Sequence, residues 1–408
     1  MAWRQQILTL IQATHRRLTK TTTQSVAIAA LIIIATLFSI FMFKGGSRRT
    51  IIIISNTSSS SNHHQSSSSC QFPAIYNFGD SNSDTGAVSA VFGQFRSPNG
   101  MTYFGRASGR YSDGRLMVDF IAERLSLPYL SAYLDSIGTN FRHGANFAAS
   151  GCTIQPADSL MLNRTFNPLT LDVQLSQFEQ FKKRSSDLYL EGSEKSSDIK
   201  HRLPRPEDFT RALYTFDIGQ NDLHAGIISM EEEQVKTYIP TLINEFASAV
   251  EKLYQGGARN FWIHNTGPIG CLPFFVKNYP PSADNRDQVG CVKSYNEIAR
   301  EFNKQLQDMV SKMGTQLQET SFVYVDVYSV KYSLISEANK HGFIDPLGQC
   351  MAQNRSVCLN PLQYISWDGV HYTEAANKWI VSRLQDGSVC EPKIPLTEAC
   401  QTLTNFRQ

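Results

Sequence analysis

A serine in a turn-forming cluster, Ser81 in FGDSNSDTG (78–86), and an aspartate three residues ahead of a histidine, Asp368 and His371 in WDGVHYTEAANKW (367–379), are the residues of this chain best suited to nucleophilic chemistry. A serine hydroxyl is a poor nucleophile at neutral pH and needs a neighbouring base. A histidine base in turn needs an acceptor on its second ring nitrogen to fix tautomer and orientation. In a loop, the three-residue offset lets Asp368 turn back onto the His371 ring, and Thr373 can cap the helix that follows. A tetrahedral intermediate also needs donors aimed at its oxyanion. Gly151 in GANFAASGCTI (144–154) can bring a backbone N–H close to a ligand because it has no side chain, and Asn221 in FDIGQND (216–222) can donate its amide. Taken singly, each motif has a plainer reading: a Gly-Asp-Ser-Asn turn, an Asx turn beside a structural imidazole, a turn glycine and a turn asparagine.

Placing such residues together requires elements that end side by side. Short apolar or β-branched runs at 74–78 (AIYNF), 212–218 (ALYTFDI), 261–264 (FWIH) and 322–328 (FVYVDVY) read as buried strands. Between the third and fourth, Ser294 and Glu297 form a capping-box pattern opening a helix with Ile298, Phe302, Leu306, Met309 and Met313 on one face, closed by Gly314. Another helix carries Leu242, Phe246, Val250 and Leu253 and stops at Gly256 and Gly257. Strands alternating with helices predict an α/β fold with a mostly parallel sheet covered on both faces, whose active site gathers at the carboxyl ends of the strands. The charged, Ser-rich stretch 182–208 reads as a surface excursion.

Together the four blocks resemble the GDSL-type, or SGNH, hydrolases, and in particular the large plant GDSL esterase/lipase group: Ser81 in GDSN, Gly151 in ASGCTI, Asn221 in GQND, and Asp368 with His371 in WDGVH. The resemblance runs from Phe72 to about Cys400. It implies that Ser81 attacks an ester carbonyl, His371 moves the proton and Asp368 orients His371. It further implies an oxyanion hole made of the Ser81 and Gly151 N–H groups with the Asn221 side chain, and a three-layer α/β/α, flavodoxin-like sandwich. Asn82 departs from the family's usual Leu after the nucleophile. The GxSxG elbow of the α/β-hydrolases is absent. No HExxH, CxxC, P-loop or dinucleotide fingerprint occurs, so no metal or cofactor is expected, and the paired His63 and His64 read as solvated.

The 408 residues, 18% charged and 41% hydrophobic, suit one enzyme-sized domain with an appendage. Net charge is only +2, and no Asp or Glu precedes Asp80, so the basic end speaks of membrane topology and not of nucleic acid. Residues 26–43 form an uninterrupted apolar stretch long enough to span a bilayer, flanked by Arg16, Arg17 and Lys20 before it and Lys44, Arg48 and Arg49 after it. The expected layout is a basic cytosolic leader (1–25), a transmembrane signal anchor (26–43), a Ser-rich stem (44–70) and a hydrolase domain (71–408). The alternative is a cleaved signal peptide and a secreted chain.

All 8 cysteines, Cys70, Cys152, Cys271, Cys291, Cys350, Cys358, Cys390 and Cys400, follow the apolar stretch, as do glycosylation sequons at Asn56, Asn163 and Asn354. An oxidising lumen, with the Golgi as the expected compartment of a type II protein, accounts for both. Cys271 with Cys291 and Cys350 with Cys358 are near enough in sequence to staple loops; buried free thiols are the alternative. The expected substrate is an acylated carbohydrate or a lipid ester. The first of these is pictured as O-acetyl groups on a cell-wall polysaccharide such as xylan or xyloglucan. A catalytically silent carbohydrate-binding protein of the secretory pathway is the reading from another class.

Overall fold

The computed structural model describes residues 71–93, 97–135, 137–156, 167–191 and 197–400. Their centre is a six-stranded sheet: β1 (Ile75–Gly79), β2 (Gly144–Asn146), β3 (Leu213–Asp217), β4 (Asn260–His264), β5 (Ser321–Val325) and β6 (Cys390–Glu391), in the order β2-β1-β3-β4-β5-β6. The first five strands are parallel; β6 joins the edge antiparallel to β5. Every residue of β1, β3, β4 and β5 is buried, as a parallel sheet covered on both faces demands.

Side chains alternate between two cores. Tyr76, Phe78, Tyr214, Phe216, Phe261 and Phe322 enter one, packed against the helices α2 (Leu171–Leu190), α3 (Gln220–Ser229), α4 (Glu232–Gln255) and α5 (Lys293–Gln316), which follow α1 (Met117–Arg124) in the chain. Ile75, Leu213, Trp262, Val323 and Val325 enter the other, against α1, α6 (Val327–Ser336) and α7 (Glu374–Leu384). This is the expected three-layer α/β/α arrangement. The strand order β2-β1-β3-β4-β5 is that of flavodoxin-like sheets, whose ligands bind where the order reverses beside β1.

Local details depart from the sequence reading in instructive ways. The α5 helix begins at Lys293 with Val292 as its non-bonding cap, so Ser294 lies inside the first turn and forms no capping box. Asn285 does the capping instead: its Oδ1 accepts from Ser294 N at 2.9 Å and its Nδ2 donates to Ser294 Oγ at 3.0 Å. The helix also runs past Gly314 to Gln316. The expected strand 322–328 stops at Val325, because the Asp326 carboxylate accepts from Ser329 N at 3.0 Å and starts α6. The stretch 182–208 is not wholly an excursion; it opens as the last turns of α2, with Ser185 buried. By contrast α4 buries Leu242, Phe246, Val250 and Leu253 and ends at Gly256 as its sequence implies.

The disulfides Cys271–Cys291 and Cys350–Cys358 form as expected, and Cys400 is disulfide-bonded too. Cys152 and Cys390 follow the alternative: both are buried free thiols. Asp287 lies beside Cys271 and Cys291, but sulfurs joined to each other are not thiolate ligands, so this cluster is no metal site. No helix among the described residues is long and apolar enough to cross a membrane; the expected leader, anchor and stem, with Asn56, His63, His64, Cys70 and Asn163, lie outside those residues. Asn354 is exposed, its Oδ1 accepting from Ser356 N at 3.0 Å and Ser356 Oγ at 2.7 Å.

Candidate active site

Ser81 follows β1 by two residues, at the carboxyl edge where β1 lies between β2 and β3. The turn that presents it is tight: Ser83 N and Asp84 N donate to Asp80 O at 3.1 and 2.9 Å, while Asp80 N donates to Asp217 O of β3 at 3.1 Å. Gln174 of α2 locks the strand end from the side. Its Oε1 accepts from Gly79 N at 2.9 Å and its Nε2 donates to Gly79 O at 2.8 Å. Asn82 has a structural use that Leu would lack: beside the backbone N–H bond of 2.9 Å to Asp80 Oδ1 that either residue could make, its Nδ2 donates to the same oxygen at 3.1 Å. Burial, then the neighbouring Asp217, raises the pKa of Asp80.

The Gly151 loop follows β2 and is clamped from three directions. Asp84 Oδ2 accepts from Ser150 N at 2.9 Å while its Oδ1 holds Gly86 N and Ala87 N at 2.7 and 2.6 Å, tying the Ser81 turn to this loop. Asn221 Nδ2 donates to Cys152 O at 2.8 Å, which orients the amide and leaves its second N–H to spare. Asp222 Oδ2 and Oδ1 accept from Ile154 N and Gln155 N at 2.9 and 3.2 Å. Burial pushes the Asp222 carboxyl up to about 7 despite these donors. Gly151 has φ +78°, a left-handed conformation that a side chain would strain. Gly219, at φ +114°, starts α3 below Asn221, and a Cβ there would stand 2.8 Å from the buried Phe302 ring. Among the described residues, neither Ser81 N–H nor Gly151 N–H donates to a protein acceptor.

The Asp368–His371 half is compact. Asp368 Oδ1 accepts from Val370 N at 3.0 Å and His371 N at 2.8 Å, and Oδ2 takes His371 Nδ1 at 2.7 Å. Burial alone would raise the Asp368 pKa; the His371 ring and those two N–H groups outweigh it and hold the carboxyl below its ordinary value. His371 Nε2 is buried and has no protein partner. Thr373 caps α7, accepting from Ala376 N at 3.2 Å, so the loop ends where the sequence places it.

One cleft of about 360 Å³ brings Ser81, Gly151, Asn221 and His371 together, with Asp368 behind the imidazole. Ser81 Oγ and His371 Nε2 are not hydrogen-bonded here; such contacts commonly tighten only when substrate binds. The arrangement offers a hydroxyl, an oriented imidazole and convergent N–H donors, which together suit acyl transfer.

Several contributors are not legible in the four motifs. Tyr111 lies with its ring 4.9 Å from that of His371. His224 and Ile228 follow Asn221 by three and seven residues, a helical spacing that would have put them on the Asn221 face had the helix been drawn there. Gln174, Asp84 and Asp222 act from outside the cleft; Asp84 and Asp222 lie within FGDSNSDTG and FDIGQND, but nothing in those stretches shows which loop each holds.

Comparison with known proteins agrees with this geometry. The model of the GDSL-like lipase/acylhydrolase family matches residues 75–384. A GDSL esterase/lipase of Arabidopsis thaliana is 48% identical over 81% of this chain and 90% of its own length. An esterase of Hevea brasiliensis is 45% identical over 83% and 92%. A protein named alpha-L-fucosidase 3, also from Arabidopsis thaliana, is 44% identical over 81% and 93%.

Proposed function

The chain belongs to the GDSL-like lipase/acylhydrolase family and is an ester hydrolase, and from that premise we propose that it works through a seryl acyl-enzyme built on Ser81, His371 and Asp368. The hydrogen bond from His371 Nδ1 to Asp368, which leaves Nε2 unpartnered in the cleft that Ser81 lines, carries this reading. Nε2 takes the proton as Ser81 Oγ adds to the ester carbonyl, and returns it to the departing alcohol; water then repeats the sequence on the acyl-enzyme. The Ser81 and Gly151 N–H groups and the spare Asn221 amide hydrogen meet the oxyanion.

For the substrate, we propose acetyl esters on a cell-wall polysaccharide such as xylan or xyloglucan. Support for this is the luminal layout expected from residues 26–43 and from cysteine usage. Incubating the protein with acetylated wall polymers should release acetate; no acetate, with turnover of longer acyl esters, would sink the acetyl reading. The apolar wall of the cleft, with Val88, Phe92, Ile228 and Val370, favours a second reading, in which a lipid acyl chain lies there. Glycoside cleavage, suggested by the fucosidase name of one relative, is disfavoured: it needs paired carboxylates, and no Asp or Glu among the described residues lines the cleft.

The luminal, membrane-anchored disposition is proposed from residues 26–43 and from cysteine usage, and the Cys271–Cys291 and Cys350–Cys358 bridges favour an oxidising compartment. A mass shift on enzymatic deglycosylation, and retention in the pellet after alkaline carbonate, are the expected results. An unglycosylated chain in the soluble fraction would contradict it.

A further inference from the structure

On α3, Asn221, His224, Ala225 and Ile228 follow the spacing i, i+3, i+4 and i+7, and all four line the cleft. Helix geometry thus sets a second imidazole on the face that presents the Asn221 amide. The His224 ring rests on Phe274 and Phe275, with centroids 4.9 and 4.7 Å away. Among the described residues, no side chain or carbonyl takes either of its ring nitrogens, and neither nitrogen is sealed from solvent. Burial holds its pKa down at about 4, so at neutral pH the ring carries one donor and one acceptor and no charge. A hydrocarbon substrate that displaces solvent from this donor–acceptor pair leaves it unsatisfied, which is unfavourable, whereas a substrate hydroxyl satisfies it.

Resting on the esterase reading above, we propose that His224 is a specificity-determining residue that hydrogen-bonds a hydroxyl of the substrate, so that the cleft selects esters bearing a free hydroxyl near the scissile bond over hydrocarbon esters of equal size. The hydroxyl belongs either to the alcohol, as in a sugar or polyol ester, or to the acyl group, as in a hydroxyacyl ester.

Two matched substrate pairs test this with the full chain: glycerol monoacetate against propyl acetate, and ethyl 3-hydroxybutyrate against ethyl butyrate. The native protein is expected to favour the hydroxylated member of at least one pair in kcat/KM by about tenfold or more, and the pair that responds identifies the source of the hydroxyl. His224→Phe keeps an aromatic ring against Phe274 and Phe275 and should collapse that ratio towards unity. His224→Leu, which needs no ring fit, should do the same, and His224→Gln, which retains a donor and an acceptor, should restore most of it. A ratio unmoved by His224→Phe and His224→Leu, with turnover lost in Ser81→Ala, overturns the inference and leaves the esterase reading standing. Turnover that survives Ser81→Ala overturns that reading and this one together.

Discussion

The two halves of the cleft are held by different means. Ser81, Gly151 and Asn221 stand after β1, β2 and β3, and they are tied into one unit by groups far apart in sequence: Gln174 on Gly79, Asp84 on Ser150, Asn221 on Cys152, Asp222 on Ile154 and Gln155. The Asp368–His371 half is assembled within four residues, since one carboxylate takes two backbone N–H groups and the ring between 368 and 371. The Ser81 half therefore depends on the whole sheet, whereas the His371 half depends on a single loop and the α7 cap. Damage to the groups that tie the first half together should appear in folding as well as rate; damage to the second should appear in rate alone.

The largest effect should come from removing the reacting groups. Ser81→Ala and His371→Ala are each expected to lower kcat by about 10⁴–10⁶-fold with an unchanged melting temperature. Asp368→Asn should follow, at about 10³–10⁴-fold, because the amide presents the wrong hydrogen-bonding partner to Nδ1; a kcat near that of the native protein would remove Asp368 from the mechanism. Asn221→Ala should cost about 10²–10³-fold in kcat, as for other oxyanion donors, and should also lower the melting temperature because Cys152 O loses its donor. An Asn221→Ala protein with full turnover would take this amide out of the oxyanion hole.

The smallest effect concerns stability and has a definite sign. Asp222 has a folded pKa of about 7, above the ordinary Asp value near 4, so the folded chain holds this proton more tightly than the unfolded chain does. Its contribution is present below the unfolded value and is lost as pH rises through about 7. The native melting temperature should therefore carry a component that falls between about pH 4 and pH 7. Asp222→Asn, which mimics the neutral acid, should reduce that fall by a few degrees, given that about 1 kcal/mol moves Tm by ~2–4 °C in a domain of this size. Identical pH profiles would contradict the assignment.

The contrast between the halves also explains what could be read from sequence. WDGVH is legible because the whole Asp–His pair lies in one motif, and the long buried strands β1, β3, β4 and β5 announce themselves by composition. The strands β2 and β6, at 3 and 2 residues, are too short to show any periodicity. The Ser294 capping box failed because Asn285, outside the local pattern, supplies the bonds. Gln174, Asp84 and Asp222 could not be assigned a role for the same reason: what they hold is brought to them only by the completed sheet.

The central claim is that an imidazole backed by Asp368 activates Ser81. Rates of fluorophosphonate labelling, with the modified peptide located by mass spectrometry, test it most directly. The expected result is a single label on Ser81, all but lost in His371→Ala. A label on another residue, or one formed on Ser81 at the same rate without His371, would contradict the account.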